Sequence, residues 1–437
     1  MNFIGILLLL FCSDCFGTSV ANYTSNGMLQ IAEKTKSRRK GKFMKPLQGI
    51  VVIDLTRILS GPFCTMLMAD FGADVIKIET PGCGDESRLL GPYIKNESAY
   101  FMSVNRGKQS VTLNLKSEEG REILKKLIAK ADILVENYRP GTMDKWGLSY
   151  EDVKKINSKL IYLSISGFGH SGPYMKHPAY DITIQGMSGV MSLTGQAGGP
   201  PTRVGTSIGD IVPGLFATVG VMMALYHRSM TGEGQHLDIS MFDALVAILE
   251  NAIARYQVNK EVPKPIGNRH PAITPFDSFS TKDGFIIVAA GNPKLFEQLC
   301  NVLEIPEVLK DERFSEYASR HQNVNELKPI LEKAFSRYTQ AESLSLLAKV
   351  GIPCAPINAI DQVIADPQVN ARNMIVEVEH PVAGMLKLAG IPIKMSLTPG
   401  AIERPAPTLG QHTKDVLKEL LNLPQEKIDE LHQKGVV

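Results

Sequence analysis

The chain has 437 residues, 44% of them hydrophobic and 21% charged, with a formal net charge of +2. That is enough apolar sequence for a sizeable core and two domains, and the near-neutral balance gives no electrostatic reason to expect nucleic acid or an anionic membrane as partner. The six cysteines are scattered and the nine histidines include no H-E-x-x-H, so neither a disulfide scaffold nor a metal centre is expected.

Residues 1–43 read as a leader outside the fold. Phe3 to Cys12 is apolar but too short to span a bilayer comfortably. It resembles a signal-peptide core, with Asn22-Tyr23-Thr24 as a glycosylation acceptor in that setting, yet it lacks a charged n-region. Lys34 to Lys42 is basic and closer to a transit-peptide tail. Secretory and organellar readings stay open, as does a misassigned start.

From Leu47 onward, strand-like and helix-like runs alternate. Gly49–Asp54 reads as a strand, followed by the turn Ser60-Gly61-Pro62 and a helix over Phe63–Phe71. Further strands are expected at Asp74–Ile78, Gln109–Leu115, Asp132–Glu136 and Leu160–Ser166, with a helix over Ser117–Lys130. Strands separated by helices predict a parallel α/β sheet. No G-x-G-x-x-G follows the first strand, so a dinucleotide site lacks its main support. Beyond it, Gln235–Ser240 and Phe285–Ala290 read as strands, Phe242–Tyr256, Val324–Arg337 and Ala341–Val350 as helices, and Thr413–Leu421 as an amphipathic tail helix. The domains expected are a large one over 45–220, a smaller one over 231–392, and a segment 400–437 that returns to the large one.

The stretch from Arg203 to Arg228 joins a small, glycine-bearing lip (Val204–Gly209) to an apolar run, Leu215–Tyr226, that reads as a buried helix with Pro213 in its first turn. Asp210 stands at the junction and fits two roles. It is a common type of helix N-cap. It is also a carboxylate that, at an ordinary pKa near about 3.9, would be an ionised nucleophile at neutral pH without a base to activate it. Elsewhere, basic residues recur beside glycine or proline near strand ends: Arg57 before Ser60-Gly61-Pro62, Lys108, Lys116, Arg139 and Lys145. Singly these are solvated cations; together they fit a phosphate-rich ligand at the carboxyl edge of a sheet, with Tyr138 and Trp146 to stack on a purine.

D-L-T-R-I-L-S-G-P (Asp54–Pro62), G-A-D-V-I-K-I-E (Gly72–Glu79), N-R-G-K (Asn105–Lys108), V-E-N-Y-R-P-G (Val135–Gly141), S-G-F-G-H-S-G-P (Ser166–Pro173) and L-G-Q-H-T (Leu409–Thr413) occur in an order that resembles a family III (CaiB/BaiF-type) CoA-transferase. The resemblance runs from about Leu47 to the end of the sequence. It implies a Rossmann-like large domain, a smaller α/β domain and an interlocked, ring-like homodimer. It implies mitochondrial residence, with cytoplasmic or secretory placement as alternatives. It implies acyl-CoA as substrate, with no permanently bound cofactor, and transfer of CoA from a donor such as succinyl-CoA to a carboxylic acid such as glutarate or hydroxymethylglutarate. Asp210 matches the family's nucleophile, which forms aspartyl anhydride and aspartyl-CoA thioester intermediates. By position in matched motifs the CoA site would take Leu59, Ser60, Leu113 to Lys116, Asn137, Tyr138, Arg139 and Lys145, with Tyr180 and Asp181 near the thioester; Arg57 joins them as a basic loop residue.

The sequence departs from family patterns in places. Formyl-CoA transferases carry Gln where Leu59 stands and a glycine run where Gly267-Asn268-Arg269-His270-Pro271 stands, which weakens an oxalate/formate reading. Thr80 replaces an Arg of many relatives. Arg269 or His270 would hold a dicarboxylate's distal acid, or sit in a polar hairpin. A related activity, α-methylacyl-CoA racemisation, uses a His/Asp pair whose Asp matches Asp181, but no His occurs between Arg106 and Gly169. An acyl-CoA-binding relative without chemistry is the third reading; it predicts a damaged nucleophile, and Asp210 is intact.

Overall fold

The computed structural model describes residues 45–437; the leader and its cysteines lie outside the described residues. The centre is a six-stranded sheet: β1 (Val51–Asp54), β2 (Asp74–Glu79), β3 (Gln109–Thr112), β4 (Ile133–Glu136), β5 (Ile161–Ser166) and β6 (His236–Ser240), in the order β3-β2-β1-β4-β5-β6. Every neighbouring pair is parallel. This is the expected α/β sheet, and its order reverses between β1 and β4, where such sheets open a crevice at the carboxyl ends of the strands. Continuous apolar runs such as Ile133–Val135 are buried on both faces, as parallel strands require.

Helices α1 (Ser60–Asp70) and α2 (Glu118–Ile128) cover opposite faces of the sheet. α1 starts earlier than the sequence suggested, with Leu59 as its N-cap residue and Pro62 third. α2 follows expectation: the Ser117 hydroxyl accepts the Gly120 N–H, and Glu118 and Glu119 sit in the first turn. Two helices matter later: the short α3 (Asp181–Met187) and the long α4 (Ile208–Thr231).

α4 differs from the reading made of it. It extends beyond Leu215–Tyr226 at both ends, Ser207 rather than Asp210 is the N-cap residue, and Pro213 is sixth, not in the first turn. Nor is it a buried rod. Ala217, Val221 and Ala224 are buried against the sheet, while Leu215, Phe216, Val219, Met223, Tyr226 and Met230 form an exposed apolar face. The helix is long and apolar enough by composition to cross a membrane, but its small residues pack into the core beside α1. At Gly214 an added Cβ would come within 2.8 Å of the Ser60 carbonyl oxygen, so this glycine sets how closely α1 and α4 approach.

Beyond α4, the expected helix over Phe242–Tyr256 is two, Met241–Ala247 and Asn251–Asn259, broken at Glu250 with φ +50°. A separate antiparallel sheet, of β7 (Phe276–Ser280), β8 (Phe285–Ala289) and β9 (Cys354–Pro356), has its own core around Phe279, Phe296, Phe314 and Phe335. The hairpin β10 (Ile375–His380) and β11 (Gly384–Ala389) packs by Val378, Leu386 and Leu388 on Phe101 and Met102. α5 (Thr413–Leu421) and α6 (Gln425–Gln433) then lie on the α2 face, where Val416, Leu417, Ile428 and Leu431 join the core. α6 had no place in the sequence reading.

Candidate active site

The carboxyl end of β1 is built on buried charge. Asp54 is fully buried and receives the Lys108 ammonium at 3.0 Å and the Thr65 hydroxyl at 2.6 Å. Burial alone would raise its pKa, but Lys108 and Lys77 beside it hold it below the ordinary carboxylate value. Lys77, also fully buried, pairs with Asp85 at 2.7 Å and donates to the Thr56 carbonyl at 2.7 Å. Asp85 in turn accepts the Ile58 N–H at 3.1 Å. Ile58 has φ +67°, a conformation that a β-branched residue adopts only under constraint. The charge network supplies that constraint and turns Arg57 toward the crevice. Lys108, read from sequence as a cation for a phosphate-rich ligand, is instead buried against Asp54 and lines neither cavity; Asp54, Lys77 and Asp85 had not been recognised, though Asp54 and Lys77 are charges set inside apolar strand runs.

Across the switch point, the loop after β4 is tied to the loop after β1 by a reciprocal pair. Asn137 Oδ1 accepts the Arg57 N–H at 2.9 Å, and Asn137 Nδ2 donates to the Arg57 carbonyl at 2.8 Å. The Arg57 guanidinium lies 4.7 Å over the Tyr138 ring, and Tyr138 meets Trp146 edge to face at 5.1 Å. The backbone N–H of Tyr138 is held at 2.8 Å by Glu136, whose carboxyl is pushed up to about 7 by burial.

Two cavities meet at this seam. One, of about 700 Å³, is lined by Leu113, Lys116, Trp146, Thr80, Cys83 and Gly435 among others, a size within the roughly 300–1,000 Å³ of small-molecule sites. The other, of about 160 Å³, is lined by Ser60, Asn137, His177, Tyr180 and Asp210 among others. Arg57, Tyr138 and Arg139 line both, so the two form a groove leading toward Asp210. Of the residues read from sequence, Arg57, Ser60, Leu113, Lys116, Asn137, Tyr138, Arg139, Tyr180 and Asp210 therefore come together. Three stand apart. Leu59 is buried in an apolar cluster with Met66, Leu67 and Val104. Lys145 is exposed and lines neither cavity. Asp181 is buried behind the wall and acts through other groups. Arg269 and His270 line neither cavity of this chain; His270 Nδ1 accepts the N–H groups of Ala272 and Ile273 in a turn, and Arg269 reaches Asn325 at 3.3 Å. His177, which sequence reading passed over, faces the cavity that holds Asp210.

Asp181 organises the approach to Asp210. Its carboxylate receives Gln185 Nε2 at 2.9 and 3.0 Å, Arg203 Nε at 2.9 Å and the Gly209 N–H at 2.8 Å. Arg203 also donates to the Gly205 carbonyl and the Ser207 hydroxyl, clamping the lip that leads into α4. A Cβ at Gly209 would stand 2.9 Å from Asp181 Oδ1. This glycine is thus explained by close approach, and its N–H, spent on Asp181, is not free to bind an oxyanion.

Asp210 is the third residue of α4. Its pKa is not the ordinary one expected from sequence. Burial, and then the Asp181 charge, push it up to about 7, with Arg203 opposing them. A desolvated carboxylate of this kind is more basic, and so more nucleophilic, than one in water.

The profile of CoA-transferase family III matches residues 47–413. The chain is 44% identical to acetyl-CoA:oxalate CoA-transferase of Acetobacter aceti over 89% of its own length and 98% of the relative's. It is 40% identical to succinyl-CoA:glutarate CoA-transferase of Mus musculus, covering 90% and 91%. Among solved structures, a CaiB/BaiF family protein from Brucella suis superposes with a TM-score of 0.78 at 40% identity, covering 86% of this chain and 99% of that one. With the groove, its cations and its half-buried carboxylate in place, the profile and these full-length likenesses make the chain a member of CoA-transferase family III, an enzyme that handles CoA thioesters.

Proposed function

We propose that the protein moves CoA from an acyl-CoA donor, succinyl-CoA foremost, to a small dicarboxylic acid such as glutarate or hydroxymethylglutarate, with Asp210 as nucleophile. The observation that carries the reading is the placement of one half-buried carboxylate, Asp210, in the narrow end of a groove whose wide end holds Lys116, Arg139 and the Tyr138–Trp146 pair. The nucleotide and phosphates take the wide end, against the cations and rings. The thioester then reaches Asp210 past Tyr138 and Arg139. Asp210 attacks the acyl carbonyl, the C–S bond breaks, and CoA thiolate leaves an acyl-aspartyl anhydride. The thiolate attacks the aspartyl carbonyl and expels the donor acid. The acceptor carboxylate attacks the resulting aspartyl-CoA thioester, and thiolate finally takes the new acyl group, freeing Asp210. Each step exchanges one activated carboxyl for another, so the overall transfer is close to isoenergetic and the enzyme's task is to split it and keep water out.

The acceptor class rests on the relatives. Their names include oxalate, glutarate, mesaconate and D-citramalate, all dicarboxylic acids. Leu59 argues against a formyl-CoA transferase pattern but lies outside the groove, so it bears less on oxalate than the sequence implied. His177, Arg139 and Arg57, the last paired with Glu86 at 2.6 Å, are the basic groups of the Asp210 cavity able to hold a distal carboxylate. The test is CoA exchange from succinyl-CoA into a panel of mono- and dicarboxylic acids. Acceptance of dicarboxylates with ping-pong kinetics supports the reading. Exchange of an α-proton of a branched acyl-CoA without transfer would replace it with racemisation.

A homodimer belongs to the same proposal. The face of α4 formed by Leu215, Phe216, Val219, Met223, Tyr226 and Met230 is apolar and exposed, as a surface meant for a second copy would be. Met223→Glu is expected to convert a dimer to monomer in sedimentation velocity while leaving the far-UV spectrum unchanged. A wild-type monomer at micromolar concentration would sink this part.

A further inference from the structure

The wide end of the groove has a wall that the catalytic reading leaves unused. α6 ends in a turn in which the Gly435 N–H bonds the His432 carbonyl at 3.0 Å and the Val436 N–H bonds the Leu431 carbonyl at 2.9 Å. Gly435 has φ +64°. This is the Schellman arrangement, with glycine in the left-handed position and an apolar contact between the flanking residues; Leu431 and Val436 lie in one core cluster. The turn reverses the chain onto the loop after β3. The Val436 carbonyl accepts the Asn114 N–H at 2.8 Å, and Val436 and Val437 are buried beside Leu113 and Leu115. Lys434 anchors the turn to Glu119, in the first turn of α2, at 3.5 Å. The result is that Gly435 itself lines the 700 Å³ cavity together with Thr80, Cys83 and Trp146.

We propose that the segment Gly435–Val437 is a specificity element for the nucleotide end of CoA: it positions the Leu113–Lys116 loop and closes the cavity wall against that end. The proposal rests on the CoA reading above. Its logic is geometric. Leu113, Asn114, Leu115 and Lys116 all line the cavity, and their backbone is held on one side by β3 and on the other by the Val436 carbonyl. Without the turn, the loop loses its outer hydrogen bond at Asn114 and its apolar backing at once, and the Asn114 side chain that holds the Lys116 N–H at 3.1 Å is less firmly set. Nothing in the segment faces the narrow cavity with Asp210, so the reacting end should not feel the change.

The test compares succinyl-CoA with succinyl-pantetheine, which carries the same thioester but no nucleotide. Two variants are used: deletion of Gly435 to Val437, and Gly435→Asn. The second keeps the turn, since a Cβ there meets nothing within 4 Å and asparagine tolerates the left-handed backbone; it acts instead by setting a side chain on the cavity wall that Gly435 forms, and it folds even if the deletion does not. The expected result is a rise of about tenfold in KM for succinyl-CoA with kcat unchanged and turnover of succinyl-pantetheine unchanged. An equal loss on both substrates would mean a merely structural role, and no loss on either would also overturn the proposal. A wild type that does not prefer succinyl-CoA over succinyl-pantetheine would instead overturn the CoA reading of the cavity itself.

Discussion

Asp210→Asn is expected to abolish CoA transfer while leaving the protein folded and able to bind CoA. The loss should be on the order of 10³- to 10⁶-fold in kcat, the range seen when a covalent nucleophile is removed and only binding remains. Intact mass after incubation with succinyl-CoA and hydroxylamine or borohydride trapping should show a modification on wild type alone. Residual transfer within tenfold of wild type would remove Asp210 from the mechanism. The pH profile adds a signature. With the carboxyl at about 7, the nucleophilic anion is the minor form in acid, so kcat/KM should rise through pH 7 and level off above it. The stability effect has the opposite sign. The folded pKa lies above the ordinary 3.8, so the folded state binds the proton more tightly, and stability is lost as pH rises from about 4 through 7. Asp210→Asn, uncharged throughout, should therefore melt a few degrees above wild type at pH 8, with the gap closing toward pH 4. A gain in stability alongside lost activity is the signature of a carboxylate held desolvated for its chemistry.

Arg203→Ala is the second large effect. It takes from Asp181 its only salt-bridge partner among the described residues, at 2.8 Å, and releases the Gly205 carbonyl and Ser207 hydroxyl. Asp181 is buried and keeps only Gln185 and the Gly209 N–H. Breaking a fully buried pair costs about 3–5 kcal/mol, but the Arg203 side chain is 35% exposed, so roughly 1–3 kcal/mol is expected in urea unfolding. Catalysis should fall as well, by a separate route. Arg203 is the group that opposes the rise in the Asp210 pKa, so its loss moves the nucleophile's titration to higher pH while the lip loosens. A drop of about 10- to 100-fold in kcat at pH 7, partly recovered at pH 9, is the expected outcome, with Arg203→Lys intermediate. A pH profile that keeps its midpoint would confine Arg203 to folding.

Much of the fold could be read along the chain because the information was local. Ser117 before two glutamates marks the start of α2, and Thr413–Leu421 was placed to the residue. Parallel strands announce themselves as short runs of Val and Ile. Errors came where neighbours in space override local signs. α4 was read as buried because periodicity cannot tell a helix sunk in a core from one that leaves an apolar face exposed. Its true start, before Asp210, depends on the Asp181 carboxylate seizing the Gly209 N–H. The short helix Met241–Ala247 ends because the chain turns at Glu250, for which the sequence carries no glycine or proline.

The sequence by itself determined the parallel sheet, the family, Asp210 as the candidate nucleophile, and most of the groove, since these rest on residue type and order. Only the tertiary structure decided the state of Asp210, the commitment of the Gly209 N–H, the exclusion of Leu59 and Lys145 from the groove, and the arrival of Gly435 at its wall. The physical reason is the same in each case. Desolvation, charge pairing and cavity walls are set by groups far apart in the chain: Asp181 beside Asp210, Lys77 beneath Thr56, Val436 against Asn114. Burial and Coulomb energy depend on distances in space, and the order of residues alone does not contain them.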